Sequence, residues 1–235
     1  MQNLIISKKV EFSPSRLSGL QFYLNAGKVK SANNKLDIGP NKLSGTYNGN
    51  CTIVNRLFGK ALYFDGDADY YGLSVSNIHA GQYTICAWAY PKVGPSVGQD
   101  EMCMVVDVDS NTFYFMLSNR DLFGQGTGWG IGWFTSPWKG TSTADTVASQ
   151  LDKWTFVTGS FDGSIFKIYK NGVLSNSNSH TISGSPSATI RVGYYKSGIP
   201  EDYNGLLDDV LFYNRALSNE EIINIYNGTK AKYGV

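Results

Sequence analysis

Acidic residues have the clearest capacity for chemistry in this sequence, because paired carboxylates can hydrolyse glycosidic bonds. Glycoside hydrolases place two carboxyl groups across a sugar-binding cleft, one as acid and the other as nucleophile or base. The nearest pairs here are Asp100-Glu101 and Asp107-Val108-Asp109. Asp107 and Asp109 would share one face of a strand, but Ser110-Asn111 follows at once and favours a turn. These pairs therefore do not predict a catalytic centre.

The histidines offer no better catalytic pattern. His79 and His180 both lie in polar, loop-like surroundings, and the G-x-S-x-G pattern that presents a nucleophilic serine is not found near them. We therefore expect a protein that is not an enzyme. A glycoside hydrolase or lyase ranks third, after the two binding functions given at the end of this section.

Tryptophans set among glycines favour binding instead of catalysis. The segment from Gly124 to Gly140 contains Trp129, Trp133 and Trp138, and such rings can stack on the apolar C–H faces of sugars. Trp129 and Trp133 are an even number of residues apart, so both project from one face of a strand. That face is either an exposed platform or part of the core, and we favour the core for Trp133. The candidate glycan-binding residues are Trp129, Trp138, Tyr194 and Tyr195.

The elements that must position these residues are predicted to be strands. The 235 residues include 26 Gly, 15 Tyr and 12 Phe, and 17% are charged, a composition typical of pleated strands joined by glycine turns. Runs such as 84–90 and 113–117 alternate apolar with polar or small residues. Asp162-Gly163 and Asn171-Gly172 predict hairpin turns between such runs. The length fits one all-β domain.

The C-terminal part carries the most informative pattern. Leu207, Val210 and Phe212 predict a last strand, and Ser218 before Glu220-Glu221 predicts the N-cap and acidic first turn of a short helix. The stretch 204–226 resembles the closing strand and helix of LamG-like jelly rolls, in the concanavalin A-like lectin/glucanase superfamily. Five further segments appear in that family's order, and these are 17–27, 37–46, 59–66, 83–91 and 154–173.

This resemblance implies a sandwich of two antiparallel sheets with one short C-terminal helix. It covers roughly residues 17 to 226, which places a jelly-roll domain at 17–235 and leaves 1–16 as an N-terminal arm or edge strand. The opening strand is similar to copies found in phage structural proteins, many of which carry Asp where this chain has Asn25. The superfamily's β-glucanases carry a Glu-x-Asp-x-x-Glu pattern that this sequence lacks.

The resemblance also implies a metal site, because many LamG-like domains bind calcium through oxygen ligands. It indicates acidic positions in the Asp65-to-Asp69 loop and in the last strand at Asp208 or Asp209. Adjacent strand residues point to opposite faces, so we expect only one of the last two to face inward. We assign Asp65 and Asp209 as the calcium ligands. The alternative is that Asp65 caps a turn and Asp209 accepts hydrogen bonds from backbone amides.

Charge and hydropathy exclude several partner classes. The formal net charge is +1 with no cluster of Lys and Arg, so we expect no nucleic-acid binding. No run reaches the roughly 18 apolar residues of a membrane span, so we expect no membrane insertion. Cys51, Cys86 and Cys103 are odd in number and irregularly spaced, which does not favour a disulfide framework.

The N-terminus bears on localisation. Residues 1–9 show no secretory signal, although related domains mostly act at surfaces. A virion protein would explain both the lack of a secretory signal and action at a surface, because it leaves the cell only when the host lyses. In that case residues 1–16, which break at Pro14, would bind other virion proteins by adding a strand. A frayed terminus or an edge strand of the same sheet is the alternative.

We therefore expect a non-enzymatic virion surface protein, either a capsid decoration or a tail or fibre component. It would display a jelly roll that binds a glycan or another cell-surface partner. The alternative is a carbohydrate-binding or adhesion module of a secreted multidomain protein, which would be extracellular.

Overall fold

A computed structural model describes residues 13–28, 36, 38–74, 81–94, 102–108, 113–118, 121–133, 137–182, 189–194 and 202–235. Within these residues the strands form two sheets, one of eight strands and one of seven. Every strand pair is antiparallel. The predicted all-β sandwich is thus confirmed.

The strands of the eight-stranded sheet are β1 (Leu20–Leu24), β3 (Thr52–Arg56), β4 (Gly59–Asp65), β6 (Tyr83–Pro91), β11 (Thr155–Phe161), β12 (Ile165–Lys170), β13 (Val173–Ser179) and β15 (Asn204–Tyr213). They lie in the order β13-β12-β11-β6-β15-β4-β3, and β1 also pairs with β15. The pairing of β1 with β15 joins the two ends of the domain.

The strands of the seven-stranded sheet are β2 (Gly45–Asn48), β5 (Tyr70–Ser74), β7 (Met102–Val108), β8 (Phe113–Ser118), β9 (Gly128–Trp133), β10 (Lys139–Ser142) and β14 (Thr189–Val192). They lie in the order β10-β9-β8-β7-β14-β5-β2. Short 3₁₀ turns lie at Pro14–Arg16, Ala26–Lys28, Val147–Gln150 and Lys230–Tyr233.

The main core lies between the two sheets and is rich in aromatic rings. Phe22 and Phe212, from the paired strands β1 and β15, stack with centroids 5.7 Å apart. Gly159 of β11 allows the sheets to approach closely, because a Cβ atom there would lie 2.8 Å from Cβ of Ile131 on β9. Such contacts fix which strand faces meet inside the sandwich.

The predicted hairpin turns are present. Asn171 and Gly172 connect β12 to β13 with φ of 52° and 80°, the left-handed values that a two-residue turn needs. At the β11–β12 turn, the Asp162 carboxylate accepts hydrogen bonds from the amides of Ser164 and Ile165. Both turns follow from local sequence.

The described part of the chain has one α-helix, α1 (Asn219–Thr229), which begins as predicted. Ser218 is its N-cap and forms a reciprocal capping box with Glu221. Glu221 also receives two hydrogen bonds from the guanidinium of Arg215, at 2.6 and 2.8 Å. Ile222 and Ile225 pack against the outer face of the eight-stranded sheet, in a second hydrophobic cluster with Trp88 and Phe156. This sheet face is therefore covered.

Residues 13–16 of the predicted N-terminal arm contact the sandwich. Pro14 is buried, and its carbonyl accepts a hydrogen bond from the Tyr213 hydroxyl at 3.1 Å. Residues 1–12 lie outside the described residues. In the described ranges, none of the helices is both long and apolar enough to cross a membrane.

Candidate functional site

Strand β9 explains the tryptophan and glycine pattern of the sequence. Its side chains alternate, so that Trp129, Ile131 and Trp133 enter the main core. The Trp129 indole is fully buried and donates a hydrogen bond to Gln150 Oε1 at 3.1 Å. Trp133 is likewise buried and donates to the Tyr83 hydroxyl at 3.0 Å. The structure corrects the expectation for Trp129, because a ring packed between two sheets offers no face to a sugar.

The glycines of β9 lie on the opposite, outer face of the seven-stranded sheet. Here Met116 of β8 forms a third, small hydrophobic cluster with Leu122, Phe123 and Trp138. Trp138 is half-buried, and its ring meets that of Phe123 nearly at right angles, with centroids 6.2 Å apart and an interplanar angle of 78°. The candidate Trp138 is thus placed on the outer face of the seven-stranded sheet, beside Phe123, a residue that the sequence analysis did not single out.

A second aromatic group lies on the same face. Tyr194 follows β14 and stacks on Tyr70 of β5, with centroids 5.1 Å apart and an interplanar angle of 27°. Tyr70 alternates with the core residue Tyr71, so it points outward. Both stacked rings are half-buried. Tyr195, the other member of the predicted pair, lies outside the described residues.

Strand register sets the distance between the two aromatic groups. One row of register partners crosses all seven strands, and its members Gly140, Gly132, Arg191, Gly72 and Thr46 lie on the outer face. Four strand spacings of about 4.8 Å separate β10 from β14, a distance of about 19 Å. The surface is therefore long enough for an oligosaccharide. Asp109, the partner that would pair with Asp107 for catalysis, lies outside the described residues.

The acidic loop at Asp65 is stabilised internally. One Asp65 oxygen accepts a hydrogen bond from the Asn50 side-chain amide at 2.9 Å, and the other accepts from the Asp67 backbone at 3.0 Å. These donors hold the pKa of Asp65 below its usual value. Asp69 is fully buried, and its carboxylate accepts from the backbone amides of Asn50 and Asp65, while burial raises its pKa. The loop uses its carboxylates to cap its own backbone.

Asp208 and Asp209 both face the C-terminal 3₁₀ turn Lys230–Tyr233, contrary to the expectation that only one would be inward. Between Asp208 and Leu211 the pairing with β6 shifts, so two residues of β15 oppose one residue of β6. This β-bulge places Asp209 in the left-handed region, with φ of 46°. The extra residue breaks the alternation of side chains, which is why both carboxylates lie on one face and are buried.

Each of these carboxylates is surrounded by donors. Asp209 accepts hydrogen bonds from the Tyr23 hydroxyl at 2.7 Å, from the Asn25 amide, from the Tyr233 hydroxyl at 3.0 Å and from Lys232 Nζ at 2.9 Å. Asp208 pairs with Arg56 at 3.2 Å, accepts from the Ala26 amide, and shares the one Tyr233 hydroxyl proton with Asp209. Burial and the neighbouring Asp209 raise the pKa of Asp208 to about 6.

The predicted calcium ligands do not fit one calcium ion. Asp65 is the register partner of Asn204, and Asp209 lies five residues further along β15, about 16 Å away at about 3.3 Å per residue. Moreover, Lys232 already holds a positive charge 2.9 Å from Asp209. No cluster of three or more His, Cys, Asp or Glu side chains with metal-binding geometry occurs among the described residues.

A groove of about 760 Å³ lies beside α1, between the helix and the N-terminal residues 13–16. Arg16, Lys28 and Lys232 line it, together with the amides of Asn224 and Asn227. Its one aromatic lining residue, Tyr23, is 5% exposed and uses its hydroxyl for Asp209. This groove therefore lacks the open ring that the outer face of the seven-stranded sheet provides.

Phe123 and Tyr70 are the site residues that sequence reasoning missed. Phe123 occurs as a single aromatic residue in a turn, Asp121-Leu122-Phe123-Gly124, and Tyr70 stands next to a core tyrosine. The sequence signal that could have indicated Phe123 is the glycine at every second position of β9. A strand face made of glycines leaves room for an aromatic ring from another segment to pack against the backbone.

Comparisons with known proteins agree with this architecture. A family model described as the concanavalin A-like lectin/glucanases superfamily matches residues 64–223. A search of curated protein sequences finds no match. Domain 4 of AbnA, an extracellular GH43 arabinanase from Geobacillus stearothermophilus solved in complex with arabinotriose, superposes with a TM-score of 0.66 at 19% identity. The alignment covers 88% of this chain and 98% of that domain.

Toxin binding domains share the fold as well. The binding domain of Paraclostridial Mosquitocidal Protein 1 has a TM-score of 0.69 at 16% identity, with coverage of 92% of this chain and 53% of that one. The binding domain of Botulinum Neurotoxin DC, solved in complex with SialylT, has a TM-score of 0.66 at 16% identity, with coverage of 89% and 51%. The chain thus spans about half the length of these two. Together with the family match over more than half of its residues, the fold shows that the chain belongs to the concanavalin A-like lectin/glucanase superfamily.

Proposed function

We propose that this chain is a non-catalytic glycan-binding domain and that it binds along the outer face of the seven-stranded sheet. The observation that carries the proposal is the position of the half-buried rings. Trp138 with Phe123, and Tyr194 with Tyr70, lie on the sheet face that α1 does not cover. Partly exposed aromatic rings on a rigid sheet offer large contact area at low entropic cost.

The relatives support this class of function. The arabinanase domain was solved with arabinotriose and the botulinum binding domain with SialylT, so the same fold holds saccharides in both. The identities of 19% and 16% do not transfer either ligand to this chain, and the choice of sugar has to be measured.

The bonding of four acidic residues within the fold supports a binding role over a catalytic one. Asp208 and Asp209 are buried beneath the C-terminal turn, and Asp65 and Asp69 cap their own loop. A glycosidase needs two carboxyl groups about 5–9.5 Å apart at the sugar. Release of reducing ends from a polysaccharide, lost in an Asp107→Asn variant, would overturn the non-catalytic assignment.

The experiment is a glycan array followed by calorimetry on the strongest hits. We expect Trp138→Ala and Tyr194→Ala each to weaken binding about tenfold, because aromatic anchors typically contribute more than 1 kcal/mol. Phe58→Ala is the matched control, since Phe58 is 54% exposed in the β3–β4 turn, outside this surface. If no glycan binds, or if neither variant differs from the control, the proposal is wrong.

The place of action is a separate part of this proposal. We infer a virion surface from the similarity of the opening strand to phage structural proteins, and an extracellular module remains the alternative. Antibodies raised against the protein should label purified particles if the virion hypothesis is correct. Labelling of secreted material alone would favour the extracellular module.

A further inference from the structure

Three glycines on the outer face form a bed for one aromatic ring. A Cβ atom built at Gly132 or at Gly140 would lie 2.5 Å from Cε1 of Phe123, and one at Gly130 would lie 3.1 Å from Cε2. Gly132 and Gly140 are direct register partners on β9 and β10. The Phe123 ring therefore rests against the backbone of two strands, and any larger residue at these positions would displace it.

The turn that carries Phe123 is held at several points. The Asp121 carboxylate accepts hydrogen bonds from the amides of Gln125 at 2.7 Å and Gly126 at 2.9 Å. From β10, Thr141 Oγ1 donates to Gln125 Oε1 at 2.6 Å, and Ser142 Oγ donates to the Gly126 carbonyl at 2.8 Å. The ring is thus placed before any ligand arrives, which lowers the entropic cost of binding.

The surroundings of Phe123 favour an uncharged ligand. Lys139, the basic residue next to Trp138, directs its ammonium group to the Thr181 carbonyl at 2.7 Å. The charged group within the turn is the Asp121 carboxylate, which would repel an acidic sugar. Phe123 and Trp138, which pack on the fully buried Met116, offer apolar surface at this corner of the sheet.

We propose that Phe123 is the central stacking residue of the surface and that it selects neutral saccharides, which present an apolar C–H face to its ring. This inference rests on the proposed glycan-binding function and assigns to it a residue and a ligand class. The two nearly perpendicular rings of Phe123 and Trp138 form the walls against which one sugar residue packs.

Matched variants test this role without removing the packing of the turn. Phe123→Leu keeps an apolar side chain on the glycine bed but removes the aromatic face, whereas Phe123→Tyr keeps the ring. Gly130→Ala keeps the phenylalanine but shifts its ring, because the added Cβ would lie 3.1 Å from Cε2 of Phe123 and 3.6 Å from the nearest backbone atom. Dissociation constants are measured for a neutral panel that includes arabinotriose and for sialyllactose, and circular dichroism and thermal melts confirm that each variant is folded.

We expect Phe123→Leu to weaken binding of the best neutral saccharide at least tenfold, Gly130→Ala to weaken it by a smaller factor, and Phe123→Tyr to stay within about threefold of the parent. If Trp138→Ala weakens binding but Phe123→Leu does not, this inference fails while the proposed function stands. A preference of the parent for sialyllactose would overturn the ligand class. A parent that binds no saccharide overturns both proposals.

Discussion

Replacing Asp209 by alanine should destabilise the domain through lost hydrogen bonds and not through loss of a metal. The Tyr23 hydroxyl and the Asn25 amide, both buried, would lose their carboxylate acceptor, and such unsatisfied donors cost about 1–3 kcal/mol each. Two effects reduce the total: Lys232 is 43% exposed and can turn to water, and the repulsion that raises the pKa of Asp208 is relieved. We therefore expect a loss of about 2–3 kcal/mol, or about 6–9 °C in Tm.

Urea unfolding of the parent and of Asp209→Ala, each with calcium and with a chelator, measures this loss. Asp67→Ala is the control, because Asp67 is an exposed acidic residue and its removal should change stability by less than about 0.5 kcal/mol. A double-mutant cycle with Tyr23→Phe should show coupling of about 1 kcal/mol. The reasoning is refuted if Asp209→Ala costs less than about 1 kcal/mol. It is also refuted if chelator alone lowers the parent to the stability of the variant, since Asp209 would then bind a metal.

Three further measurements test other parts of the structure. Gly159→Ala should lower the free energy of unfolding by about 1–3 kcal/mol in urea titrations, because the added methyl would overlap Ile131 across the core; an unchanged midpoint would contradict the close approach of the sheets. Ser218→Ala should cost about 1 kcal/mol by removing the cap of α1, and a Ser218→Asp variant that matches the parent serves as its control. The folded-state pKa of Asp208, about 6, lies above the unfolded value of about 3.9, so its protonation stabilises the folded state below pH 6 and this contribution is lost as pH rises through 6. Relative to Asp208→Asn, the parent should therefore gain about 1 kcal/mol between pH 7 and pH 5, and a pH-independent difference would show that the pKa is not raised.

Local features of the sequence determined much of the fold. The capping box at Ser218 and Glu221 and the left-handed turn at Asn171-Gly172 depend on residues a few positions apart, so they are visible before folding. The alternation along β9 likewise showed that Trp129 and Trp133 share a face. The family resemblance placed these local elements in a known order along the chain, and that order predicted the two-sheet sandwich.

Tertiary structure decided which faces and neighbours these elements have. Alternation cannot say whether Trp129 points to the core or to solvent, and the answer came from the eight-stranded sheet packed against it. The bulge at Asp209 depends on pairing with β6, more than 100 residues away in sequence, and it reversed the expectation that one carboxylate alone would be inward. Phe123 meets Gly132 and Gly140 because β9 and β10 are paired beneath its turn. No local sequence pattern around these residues indicates which partner each will contact. The contacts form only when the sheets assemble and bring the residues together.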